Sequence, residues 1–196
     1  MKKIIYSLSL IAFGFSGIAQ NKVLSEELQI KMASQAAPEE DRDAVTVYGY
    51  DENGNVVLLR KGTNNLTCLA DNPNGKGISV SCYNSKLDDF MARGRELRAE
   101  GKDMMTLRET RKKEVENGSL KMPDAPSMLY VVSGKEENLN HETGEIKNSK
   151  IRYVIYTPFA TTESTGMPDK PHKPGMPWLM DPGTHRAHIM ITPADN

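Results

Sequence analysis

Two cysteines, Cys68 and Cys82, flank the stretch DNPNGKG, and they constrain the fold of this chain more than any other feature. Pro73, Asn74-Gly75 and Gly77 are turn formers, each through its own backbone preference. The flanking segments, Leu66 to Ala70 and Ile78 to Cys82, read as short strands. A hairpin folded about Gly75 sets Cys68 opposite Cys82 and Ala70 opposite Val80. Directly opposed residues of an antiparallel pair have Cα atoms about 4.5–5.5 Å apart, within reach of a disulfide. There is no Cys-x-x-Cys spacing, so the pair suits a structural staple better than a redox or metal centre.

A stable disulfide needs an oxidising compartment, and the first residues predict a route to one. Lys2 and Lys3 precede an apolar run from Ile4 to Ile18, and Gly17 and Ala19 make a small-x-small exit. This pattern predicts a secretory signal over residues 1–19, cut before Gln20. A membrane-spanning helix needs about 20 apolar residues. The run here is shorter and carries Gly14 and Gly17 near its end. No cysteine follows the cut, so lipid attachment at a new N-terminal cysteine is not expected. The expected destination is the periplasm or the exterior, as a released protein, not a lipoprotein, with no membrane span in the mature chain.

Basic and acidic residues nearly cancel, 25 against 26. Nucleic-acid binding wants a basic excess on one face, and no stretch supplies one. The densest charged region, Lys86 to Glu116, holds nine Lys/Arg and eight Asp/Glu, the pattern of a solvated helical surface.

Residues 20–43 form a polar N-terminal segment. Leu24, Leu28, Met32 and Ala36 recur at steps of four and predict one short helix there, with a stripe narrow enough to leave it mobile. A single globular domain is expected over 44–196. Val45 to Tyr50 and Asn55 to Lys61 read as strands joined by Asn53-Gly54. Asp51, Asn53 and Asn55 mimic the start of a calcium loop. The required Gly and Glu at its sixth and twelfth positions are replaced by Val56 and Gly62, so the turn reading stands. Leu87, Phe90, Met91, Gly94 and Leu97 share a helical face, and Asp103 to Asn117 predicts a second helix. Met128 to Val132, Ile151 to Pro158 and Arg186 to Thr192 read as further strands. Residues 159–183 hold Pro168, Pro171, Pro174, Pro177, Pro182 and the single Trp178. Proline fixes φ and removes a donor, so a long irregular loop is expected there, and such loops tend to be functional or disordered. The expected class is α+β: a mainly antiparallel sheet of about seven strands with two or three helices and one disulfide.

No nucleophile elbow, His-Glu-x-x-His, phosphate loop or dinucleotide glycine motif occurs, which removes the enzyme classes readable from local motifs. His172, His185 and His188 fall in the C-terminal region among Met167, Met176, Met180 and Met190. Imidazole suits Zn or Cu, and thioether suits Cu(I). In an extended segment His185 and His188, three apart, point to opposite faces, which weakens a shared metal site. Trp178 either anchors the loop on the core or lines a binding surface.

The segment LLRKGTNNLTCLADNP resembles part of a family of small exported bacterial proteins to which no activity is attached. The resemblance rests on Arg60, Gly62, Thr63, Asn64, Thr67, Cys68, Pro73, the later Cys82, and Ala187-His188-Ile189-Met190. It covers about a third of the mature domain and excludes the central helices. Leu66 departs from the pattern, which tends to carry Trp. The resemblance implies one exported, disulfide-containing domain, and it draws attention to Arg60, Asn64 and His188 as a shared binding site.

The reading that follows is an exported binding or structural domain that needs no cofactor, with a small molecule or a protein as its partner. The alternative is a metal-assisted enzyme, or a Zn- or Cu-binding protein, using His172, His185 and His188.

Overall fold

The structure, a computed structural model, describes residues 23–194. The expected signal and its cut lie outside the described residues. The strands are β1 (Thr46–Tyr50), β2 (Val56–Arg60), β3 (Leu66–Leu69), β4 (Ile78–Asn84), β5 (Ser127–Gly134), β6 (Lys150–Tyr156), β7 (Trp178–Met180) and β8 (His188–Ile191). They form one sheet in the order β2-β1-β3-β4-β5-β6-β8-β7. The helices are α1 (Glu26–Ser34), α2 (Asp88–Ala99), α3 (Met104–Glu116) and the one-turn α4 (Thr162–Thr165).

β1 and β3 run parallel, whereas the other neighbours are antiparallel. The sheet is thus mixed and eight-stranded, which corrects the expectation of a mainly antiparallel sheet of about seven strands. Both corrections have a physical cause. β7 is three residues long, follows Pro177, and pairs only with β8, so no local alternation announces it. It falls, with α4, inside the segment expected to be irregular. The parallel pair arises where residues 61–65 cross the start of β1 and set β3 on its far side.

That crossover is close. A Cβ on Gly62 would collide with the backbone of Ala44, Val45 and Thr46. The amides of Thr63 and Asn64 both donate to the Ala44 carbonyl, at 2.7 and 3.1 Å. Glycine is the residue that permits such an approach.

The β3–β4 hairpin has the register read from sequence. Cys68 faces Cys82, their Cα atoms are 4.0 Å apart, and they are joined by a disulfide. Both are fully buried. Cys68, Val80 and Cys82 share an apolar cluster with Val45, Val47, the α1 residues Met32 and Ala33, and Ala36 just past the helix.

The expected N-terminal helix therefore docks as part of the core. Two glutamines supply what its narrow apolar stripe does not. Gln29 donates to the Tyr50 carbonyl at 2.9 Å and accepts from the Tyr50 amide at 2.8 Å. Gln35 treats residues 144–146 the same way, donating to the Gly144 carbonyl at 2.7 Å and accepting from the Ile146 amide at 2.9 Å. Each amide imitates a strand, so buried backbone groups are satisfied.

α2 and α3 lie against the other face. Tyr83 follows Cys82 along β4, so its side chain points the opposite way. It is fully buried there, and its hydroxyl donates to Asp88 and accepts from Arg95. Arg95 also stacks over Tyr48, 4.3 Å from the ring centre. α3 starts at Asp103, whose carboxylate accepts from the Met105 and Thr106 amides. Arg93 joins α2 to α3 through Glu114 at 2.8 Å. Among the described residues no helix is long and apolar enough to cross a membrane.

Candidate ligand cleft

The residues singled out by sequence divide among three places. The first is the crossover. Arg60 donates to the carbonyls of Val45 and Arg42, at 3.0 and 2.6 Å, and to the Ser34 hydroxyl at 3.2 Å. Asn64 accepts from the Leu66 amide at 3.0 Å and donates to the Asp41 carbonyl at 3.2 Å. Their polar atoms are spent mainly on backbone, and they tie residues 41–45 to α1 and the start of β3. Arg60 also borders a surface cleft of about 460 Å³ with Arg42 and Glu145.

The second place lies between α2, α3 and the turn before β8. His185 and His188 are both buried. His188 stacks on Tyr156 with ring centres 5.2 Å apart, and its Nδ1 lies 2.6 Å from the Arg186 carbonyl, which fixes a donating Nδ1–H. His185 meets the Phe90 ring edge-on at 5.8 Å. Arg111 covers Phe90 from 3.9 Å and donates to its carbonyl at 3.1 Å. Burial, reinforced by nearby cations, pushes the His185 imidazole below its ordinary range. Burial lowers His188 as well, against the opposing effects of its backbone bond and Asp181. Burial also lowers Arg111, to about 10, which leaves it charged at neutral pH. Three buried polar atoms have no partner among the described residues: Arg111 Nε, Thr157 Oγ1 and His185 Nε2.

The third place is a cleft of about 780 Å³ between the Pro-rich loop and the sheet at β6, β8 and β7. Trp178 and Met180, alternate residues of β7, share one face of the sheet with Met190 of β8, which pairs with Trp178. Met176 completes an aromatic and thioether lining, and Pro171, Pro174 and Gly175 form the overhanging wall. Leu179 points to the other face and is fully buried, which anchors the strand. Gly175 turns with φ of 80° and its amide donates to the Thr192 carbonyl at 2.8 Å, closing the loop onto the end of β8. Arg152, Lys150, Lys173 and His172 bring nitrogen to the same cleft, and no carboxylate lines it among the described residues.

The structure thus sets one of the three histidines apart from the other two. His172 borders the cleft, whereas His188 stacks on Tyr156 and His185 meets Phe90, which itself lies against Tyr156. No group of three or more His, Cys, Asp or Glu side chains is placed to hold a metal ion among the described residues. Trp178 lines the cleft while its neighbour Leu179 anchors the strand. Arg152 was missed by sequence reasoning. Its signal was a charged residue at every second position of an otherwise apolar strand, Lys150 and Arg152 alternating with Ile151 and Tyr153.

Comparison with family models, with curated proteins and with solved structures finds no match to this chain.

Proposed function

We propose that this protein is an exported binding domain whose ligand occupies the cleft beneath the Pro-rich loop. One observation carries the reading: a half-buried tryptophan and three methionines line a cavity large enough for a small organic molecule. Ligand sites are concave, mainly apolar, and carry a few polar groups that set orientation, which describes this cleft. The disulfide is in keeping with export. Local motifs give no support to chemistry at this site, and the histidines, with His172 apart from His185 and His188, lend less to a metal-assisted reaction than the cleft lends to binding.

Trp178 is the only tryptophan of the chain, so its emission reports on this cleft alone. A thermal-shift screen of the protein against small organic compounds tests the proposal. Compounds that raise Tm are expected to change Trp178 emission, and their stabilisation is expected to vanish in Trp178→Ala. At a concentration of 100 Kd a ligand stabilises by about 2.7 kcal/mol. Stabilising compounds that leave Trp178 emission unmoved, or that stabilise Trp178→Ala equally, place the ligand elsewhere and overturn the proposal.

A further inference from the structure

We infer that the ligand of this cleft is an amphipathic organic anion: an apolar body against Trp178 and the methionines, and one anionic head at Arg152. The inference rests on reading the cleft as a ligand site and names the chemistry of its occupant.

Among the described residues the charge lining the cleft is one-sided. Among the described residues that line it, Lys150, Arg152 and Lys173 are cationic, His172 adds an imidazole, and Asp and Glu are absent. The chain as a whole carries a net charge of −1, so this grouping is local and not a reflection of composition. The Arg152 side chain is exposed and has neither an ion pair nor a hydrogen bond to any described residue. Arg60 is engaged on carbonyls, Arg93 on Glu114, Arg95 on Tyr83 and Arg186 on Asp181, whereas Arg98 and Arg108, out on the helices, line no part of this cleft. An arginine fork with free donors beside an apolar wall matches a carboxylate, sulfonate or phosphate head geometrically. The same lining works against a cation, since a soft metal held by Met176, Met180 and Met190 would face Arg152 and Lys173 with no carboxylate among the described lining residues.

The two parts of the site are arranged for one molecule. Arg152 lies on β6 and Met190 on β8, neighbouring strands, and Trp178 lies one strand further out. Head and body sites therefore sit on one sheet face within the same cleft.

A matched series of probes tests this: octanoate, octanamide and octylammonium, each titrated into the full protein and followed by Trp178 emission and calorimetry. Octanoate is expected to bind about tenfold more tightly than octanamide, the scale of one charge-assisted hydrogen bond. Octylammonium is expected to bind more weakly than either. Arg152→Gln is expected to bring octanoate to the level of octanamide without changing the affinity for octanamide. Equal affinity of wild-type protein for the acid and the amide overturns the anion inference and leaves the cleft a ligand site. An acid preference that survives both Arg152→Gln and Lys173→Gln overturns the assignment of the head site. Failure of all three probes to move Trp178 overturns the anion inference, and a positive result in the compound screen would then show that the cleft itself still binds.

Discussion

The two ends of the sheet are built on opposite plans. Around β1, β3 and β4, α1 is pressed onto the strands, a disulfide crosses the central pair, and the apolar cluster is sealed by Gln29 and Gln35. Around β6, β8 and β7, the cover is a proline-rich loop that leaves Trp178 and Met176 partly open above a cleft. The same chain thus spends its apolar residues on cohesion at one end and on display at the other. Exposed apolar surface that is grouped and rimmed by charge marks an interaction site, whereas scattered exposure does not. The sealed end gives the open end a frame, and the frame lets the loop be shaped by something other than stability.

The largest test of this contrast is the staple. Replacing Cys68 and Cys82 together by alanine is expected to lower stability by about 3 kcal/mol, the entropy-model value for a loop of this size. Denaturant unfolding reads it directly. Trp178 emission in the folded variant should be unchanged, since the disulfide lies at the other end. An unchanged midpoint would mean that α1 and its glutamines hold the sealed end alone.

The second test uses pH at the sealed end. Asp71, just past β3, is pushed up to about 6, chiefly by burial, with Glu136 adding repulsion. A raised folded value means that this group's stabilisation is present below its unfolded value of 3.8 and is lost as pH rises through about 6. Asp71→Asn keeps an acceptor for the Ser79 amide, 2.8 Å away. It should therefore stabilise the protein at pH 7 by about 1 kcal/mol, after discounting the full shift for solvent screening. It should also flatten the stability profile between pH 4 and 6. A variant less stable than the parent at pH 7 would show that the charge is needed there.

The smallest expected effect has the opposite sign and belongs to the open end. Burial holds His188 below its ordinary 6.5, so its contribution is present above pH 6.5 and is lost as pH falls through the lowered folded value. Melting temperature measured from pH 7 to 5 should fall less steeply in His188→Gln than in the parent. Equal slopes would remove His188 as the source of the acid sensitivity.

Much of the sealed end was readable in the sequence because its contacts are local. The Cys68–Cys82 register follows from one turn and two alternating segments, and the helix over 88–99 follows from one apolar face. What escaped was carried by polar residues or by distant pairing. Gln29 and Gln35 look like surface residues in a pattern of hydrophobic spacing, yet they dock α1. The parallel pairing of β1 with β3 depends on a crossover that only the backbone collision at Gly62 makes evident. At the candidate site, Trp178 was visible as a lone aromatic among prolines, but that its neighbour Leu179 is the buried anchor was not. The cationic side came from β6, some 26 residues earlier than Trp178 in the case of Arg152, and no local motif links the two.

The disulfide also simplifies the chemistry of maturation. Cys68 and Cys82 are the chain's two cysteines and stand fourteen residues apart. Within one molecule they admit a single pairing, and the hairpin between them sets the thiols on directly opposed strand positions. Oxidation of this chain has no scrambled isomer to correct. A simple thiol oxidant is enough to complete it, and an isomerase has nothing to reshuffle.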